Sequence, residues 1–278
     1  MKKTLKKIIR FLIDNYFLSI FFGCIAFVAL VSFYKLFISK PTYVYVKVKV
    51  GQGLWWASTQ KPSIWFVKNF KKGDQELDLT GKPIAQILSV RYYPVSVLNH
   101  YVYNQYDIYL LMKLKVSKMG SGKYNFKRSA IGVGAPVDFE FPKVQFSGTI
   151  TALSEKPIKE SYQEKIIYIS KSFAYPWEYE AIKIGDKYFD GQENVIEILD
   201  KQIDESNYVS PIFKSQNNYL NLESGQKIFN LQIKLKIKGQ IKDNQFVFGE
   251  EQIITFGKTI YLTTQNFQFQ DFVITKIE

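Results

Sequence analysis

The chain is poor in the residues that usually do chemistry. It holds one cysteine and one histidine in 278 residues, and its arginines are only Arg10, Arg91 and Arg128. A single cysteine excludes an internal disulfide framework and any thiolate-rich zinc or iron–sulfur centre. A single histidine excludes a two-histidine metal site within one chain. No Gly-x-Ser-x-Gly elbow occurs to present a nucleophilic serine. Scarce arginine also weighs against nucleic acid as a partner, because arginine supplies the planar fork for phosphate and guanine. No cofactor and no metal are expected.

What the chain has is apolar content and lysine. Hydrophobic residues make up 46% and aromatic residues 17%, enough for a folded protein with a sizeable core. The formal net charge is +12, but it is unevenly spread. Residues 1–40 carry +6, residues 41–156 carry +9 and residues 157–278 carry −3.

The first forty residues read as a basic head and a membrane anchor. Lys2, Lys3, Lys6, Lys7 and Arg10 precede a charge-free run from Tyr16 to Tyr34. As a helix this run rises roughly 28 Å, close to the thickness of a bilayer's hydrocarbon. Tyr16 and Tyr34 bracket it as interfacial aromatics do. A cleaved signal peptide would have a shorter apolar core and a small-residue exit, whereas Phe33-Tyr34-Lys35-Leu36-Phe37 is bulky. The expectation is a single-pass protein of the cytoplasmic membrane, N-terminus inside, with the remainder extracytoplasmic.

Residues 41–156 and 157–278 read as two copies of one β-rich unit. Trp65 lies eight residues before Gly73-Asp74, and Trp177 lies eight before Gly185-Asp186. Further on, Tyr124-x-Phe126 and Gly134 correspond to Phe246-x-Phe248 and Gly257. Period-two alternation around Lys47–Val50 and Lys113–Val116 predicts half-buried strands. Short helices are expected over Ile64–Phe70 and Pro176–Ile184, with Gly73 and Gly185 as their left-handed caps. The expected fold class is β-dominated α+β: one transmembrane helix, then two small barrel-like or sandwich-like repeats, each with a short helix. One merged sheet is the alternative.

The run Leu235–Ile277, with Gly257-Lys258-Thr259-Ile260-Tyr261-Leu262 at its centre, resembles the bacterial domain of unknown function family 4330. Phe70–Gly73-Asp74 followed by Gly81-Lys82-Pro83-Ile84 resembles the same family's earlier glycine turn. The resemblance implies an N-terminal membrane helix and a β-rich extracytoplasmic region, here in two copies, with the role as open as the family's own. The turn Gly73…Gly81-x-x-Ile84 is loosely similar to one in the mammalian cell entry family of envelope lipid-transport proteins.

Other motifs have plain readings. Gly257-Lys258-Thr259 has the tail of a phosphate loop, but Gln252 stands where its first glycine is needed, so it reads as a turn. His100 sits in an aromatic connection and reads as a packing residue. Asp74 and Asp186 follow turn glycines and suit backbone hydrogen bonding. Trp55 and Trp56 suit a membrane interface, a partner surface or core. The leading expectation is a binding or scaffolding module of the cell envelope, its partner an envelope protein or an anionic lipid or polymer. Envelope transport of lipid or another hydrophobic substrate is second. A hydrolase is third, since paired carboxylates obey no spacing rule. Homo-oligomerisation stays open.

Overall fold

The computed structural model describes residues 14–33, 41–51, 62–95, 105–120, 122–204 and 229–278. The chain divides into two units at Thr42/Tyr43, one helical and one built of strands. Tyr34, Trp55, Trp56 and His100 lie outside the described residues.

The helical unit contains α1 (Tyr16–Phe33), 18 residues without a charge. Phe17, Ile20, Phe21, Phe22 and Phe27 are all exposed, as is Tyr16 at its start. Its rise is about 27 Å against about 30 Å of bilayer hydrocarbon. Among the described residues no helix is long and apolar enough to cross a membrane. The transmembrane helix expected over 16–34 is therefore not supported by the described residues.

The second unit is β-dominated and forms two curled, barrel-like sheets. The first uses β1 (Thr42–Gly51), β2 (Gln75–Leu77), β3 (Pro83–Pro94), β4 (Tyr106–Lys118), β5 (Tyr124–Phe126), β6 (Ser129–Ile131), β7 (Pro136–Phe141) and β8 (Val144–Ser154). The second uses β9 (Tyr162–Ala174), β10 (Lys187–Phe189), β11 (Asn194–Asp204), β12 (Phe229–Lys242), β13 (Gln245–Phe248), β14 (Gln252–Ile253), β15 (Thr259–Thr263) and β16 (Gln268–Ile277). The strand orders are β2-β3-β4-β1-β8-β7 and β10-β11-β12-β9-β16-β15, the same path twice. The hairpins β5–β6 and β13–β14 leave that path at equivalent points. No sheet takes strands from both copies, so the merged-sheet alternative does not hold among the described strands.

Strand alternation explains the two cores. Ile108, Leu110, Met112 and Leu114 on β4 point inward, as do Leu231, Ile233, Leu235 and Ile237 on β12. Both sets recur every second residue, and each is fully buried. Phe139 and Ile150 complete the first core, and Phe269, Phe272 and Ile274 the second.

Each copy is itself made of two halves. Gly73, Gly134, Gly185 and Gly257 all have positive φ, between 78° and 94°. Each donates its N–H at 2.8 Å to a buried isoleucine carbonyl: Ile87, Ile150, Ile198 and Ile274 in turn. Each isoleucine N–H returns at 3.0 Å to the carbonyl of the residue after the glycine. The strand register shifts beside every one of these isoleucines. A β-carbon on any of the four glycines would meet nothing within 4 Å. Glycine is needed there for backbone angle, and not for room. Exchanging β1, β2 and β3 with β4, β7 and β8 reverses the first sheet's order and leaves it unchanged, which is an internal twofold.

The short helices are α2 (Ile64–Val67) and α3 (Pro176–Ala181). They end at Lys68 and Ile182, sooner than expected. Gly73 and Gly185 are therefore not their caps. These glycines turn the chain against β3 and β11 instead, because a carbonyl on a bulged strand offers the bond that a helix end would have used.

Candidate functional site: the seam between the sheets and two exposed tryptophans

The seam is assembled from the last part of β3, the middle of β1, the link between the copies and two turns of the second sheet. Arg91 on β3 contacts three carboxylates. Its guanidinium pairs with Asp190, with Glu193 at 3.0 Å and with Glu160 at 3.4 Å. The same guanidinium lies 4.0 Å from the centre of the Tyr162 ring. Asp190 is 0% exposed and Arg91 7%.

The 190–193 turn presents Asp190 by local bonding. Its Oδ1 accepts the backbone N–H groups of Gln192 at 2.9 Å and Glu193 at 3.0 Å. That leaves Oδ2 for Arg91 and for the Tyr93 hydroxyl, which donates at 3.0 Å. Gly191 between them has φ +104°, and a β-carbon there would stand 2.7 Å from the Val90 carbonyl oxygen. Only glycine lets the turn lie this close to β3.

A second cluster surrounds Glu250. Its carboxylate accepts from Lys47 at 3.0 Å, Lys242 at 2.7 Å, the Tyr162 hydroxyl at 3.0 Å and Gln240 at 3.2 Å. Lys47 reaches Glu160 as well, at 2.6 Å, so one link residue joins both clusters. Apolar contact runs alongside. Tyr93 and Tyr109 of the first copy are part of the second copy's core, and the Tyr93 ring lies 5.6 Å from Phe248.

The electrostatics keep Glu250 and Glu193 ionised. Burial pushes the Glu250 carboxyl up, but the charges of Lys47 and Lys242 outweigh it and hold it below the usual range. Burial likewise raises Glu193, and hydrogen bonds from Lys238 and Arg91 bring it below normal. Burial, followed by Asp190, pushes the Tyr93 hydroxyl well up, so it stays a proton donor. Carboxylates held below their ordinary range cannot serve as general acids near neutrality. The seam's chemistry is counter-charge, which fixes two sheets against each other.

Glu76 on β2 behaves in the opposite way. It is buried, and desolvation raises its carboxyl above normal despite a hydrogen bond from Lys127.

The repeat-position residues fall into two classes. Gly73, Gly134, Gly185 and Gly257 are the turn positions described above. Asp74 accepts the backbone N–H of Lys71 at 3.0 Å, the backbone role expected of it. Asp186 instead accepts the Asn266 amide at 2.8 and 2.9 Å. Trp65 and Trp177 occupy the second position of α2 and α3, and are 61% and 60% exposed. Trp177 stacks on Tyr175 at 6.4 Å, and Trp65 meets Phe66 edge-on at 5.6 Å.

Arg91 and Asp190 were not singled out by sequence reasoning. A signal existed in Gly-Asp-x-x-x-Asp, which occurs as Gly73–Asp78 and Gly185–Asp190. Asp78 also organises a turn with its carboxylate, accepting the Thr80 and Lys82 N–H groups at 2.8 and 3.0 Å. Comparison with protein-family models, with curated proteins and with solved structures returns no match for this chain.

Proposed function

We propose that this chain is a single-pass, membrane-anchored protein of the cell envelope whose β unit is a rigid binding or scaffolding module. The observation that carries this reading is the buried seam around Arg91 and Asp190. Two β-sheets of the same strand order, locked by charges that cannot leave cheaply, offer two outer surfaces in fixed relation. That is the physical requirement of a scaffold. The uncharged run Tyr16–Tyr34 supports the anchor, and the basic head before it supports an inside N-terminus and an extracytoplasmic β unit.

Carriage of a lipid would need an apolar cavity, whereas the inward positions of β4 and β12 are filled by tightly buried aliphatic side chains. A hydrolase would need a carboxyl poised to give up a proton, whereas the seam acids Glu250 and Glu193 are held ionised and Glu76, which burial raises, is engaged by Lys127. Affinity capture of the full chain from native membranes tests the scaffold reading. A defined partner is expected with the native chain and is lost with Arg91→Ala. Recovery of none with either counts against it. A C-terminal alkaline phosphatase fusion that stays inactive would overturn the orientation.

A further inference from the structure

We infer that Trp65, Lys68, Lys71 and Lys72 form a patch on the first copy that lies against an anionic phospholipid leaflet, an inference that rests on the anchor reading above. Trp65 and Lys68 are three residues apart at α2, so they share a face. The opposite face is buried through Phe66, Val67 and Phe70. Edge-on contacts of Phe70 with Phe66 at 5.2 Å and with Phe146 at 5.0 Å hold the segment to the core. The indole is thus presented outward on a fixed base, 61% exposed, with Lys68, Lys71 and Lys72 exposed around it. None of these three lysines has an ion-pair partner among the described residues.

Indole is among the side chains that gain most at the headgroup level of a bilayer, and free lysines beside it add attraction to anionic lipid. The charge of the patch selects the leaflet's sign. The second copy supplies an internal comparison. Trp177 is as exposed as Trp65, but Glu180 stands where Lys68 does and Ile184 where Lys72 does. Lys183 and Asp186 correspond to Lys71 and Asp74, so the difference in charge lies at the two replaced lysines. The same fold therefore shows one basic indole patch and one of mixed charge, which matches the +9 and −3 of the two copies.

Hydrogen exchange on the full chain tests this, in vesicles of phosphatidylcholine alone or with roughly one third phosphatidylglycerol. Residues 62–73 should gain protection on the anionic vesicles only, and lose it in about 0.5 M salt, where charge attraction is screened. Residues 176–187 should exchange alike on both. Each of Lys68→Gln, Lys71→Gln and Lys72→Gln should cut the gain roughly five-fold. Trp65→Ser should also remove it without shifting the urea midpoint, since the ring is exposed. Equal protection on both vesicle types overturns the patch, as does protection produced by a soluble anionic polysaccharide without vesicles. A chain that leaves the anionic vesicles in high salt overturns the anchor reading and not the patch, because a contact held by charge is screened there too. A chain retained without the lipid-dependent difference overturns the patch alone.

Discussion

Arg91 and Asp190 stand 99 positions apart in the chain and in direct contact in the fold. One lies within β3 of the first sheet, and the other is set by a turn of the second. Their burial makes the contact consequential, because an ion taken from water must be repaid by geometry or left at high cost.

Arg91→Ala should therefore destabilise the β unit by about 3–5 kcal/mol, since Asp190 and Glu160 would lose their shared cation. Arg91→Lys should restore only part of this. An ammonium cannot reach three carboxylates while lying over the Tyr162 ring. Urea unfolding of both variants, read by tryptophan fluorescence, checks the order. An Arg91→Lys chain as stable as the native one would contradict it.

The seam should fail in acid. Glu250 and Glu193 have folded-state values below the ordinary 4.5 of a glutamate. The unfolded chain then binds more protons between the folded and unfolded values. The stability these groups contribute is complete above about 4.5 and is lost as pH falls through the folded values. Glu250→Gln should lower stability at neutral pH and flatten the acid limb, which a series of urea midpoints from neutral to pH 3 would show.

Glu76 should show the reverse sign. Burial raises its value in the fold, so the folded chain binds more protons than the unfolded one above about 4.5. Its charge costs stability as pH rises through the folded value. Glu76→Gln keeps the shape and removes that cost, so the variant should equal or exceed the native chain at pH 7. Its advantage should vanish below pH 4. Thermal melts at the two pH values decide this, and a variant weaker at pH 7 would refute it.

Two glycines should separate angle from space. Gly73→Ala meets open space and suffers only from its φ of +94°, which costs about 1–2 kcal/mol. Gly191→Ala adds a β-carbon 2.7 Å from the Val90 carbonyl oxygen, and so should cost about 2–4 kcal/mol and loosen the seam. Urea midpoints would rank the two, and equal losses would show that the close approach carries no energy.

Much of the local structure was legible along the chain. The alternation of β4 and β12, the turn glycines and the paired tryptophans all follow from short-range spacing. The helices proved shorter than their apolar pattern, because Gly73 and Gly185 are used by neighbouring strands. The halves within each copy were hidden. The glycine and its isoleucine partner are separated by 13 residues in one case, Gly185 to Ile198, and by 17 in another, Gly257 to Ile274. No fixed period marks them.

The candidate seam was less legible still. Arg91 reads along the chain as one arginine in a tyrosine-rich strand, and Asp190 as one more turn aspartate. Desolvation decides their weight, and desolvation depends on which surfaces meet.

By itself the sequence determined the period of the strands, the places where the backbone must turn left-handed, the uncharged run at 16–34 and the gradient of charge from +9 to −3. These are properties of neighbours, and near neighbours set them through sterics and side-chain spacing. Only the tertiary structure decided that two sheets share buried ions, that Glu160 in the link serves both clusters, and that Trp65 and Trp177 face outward. Those outcomes depend on contacts between residues far apart in the chain, where the energy of a charge or a ring is set by what encloses it.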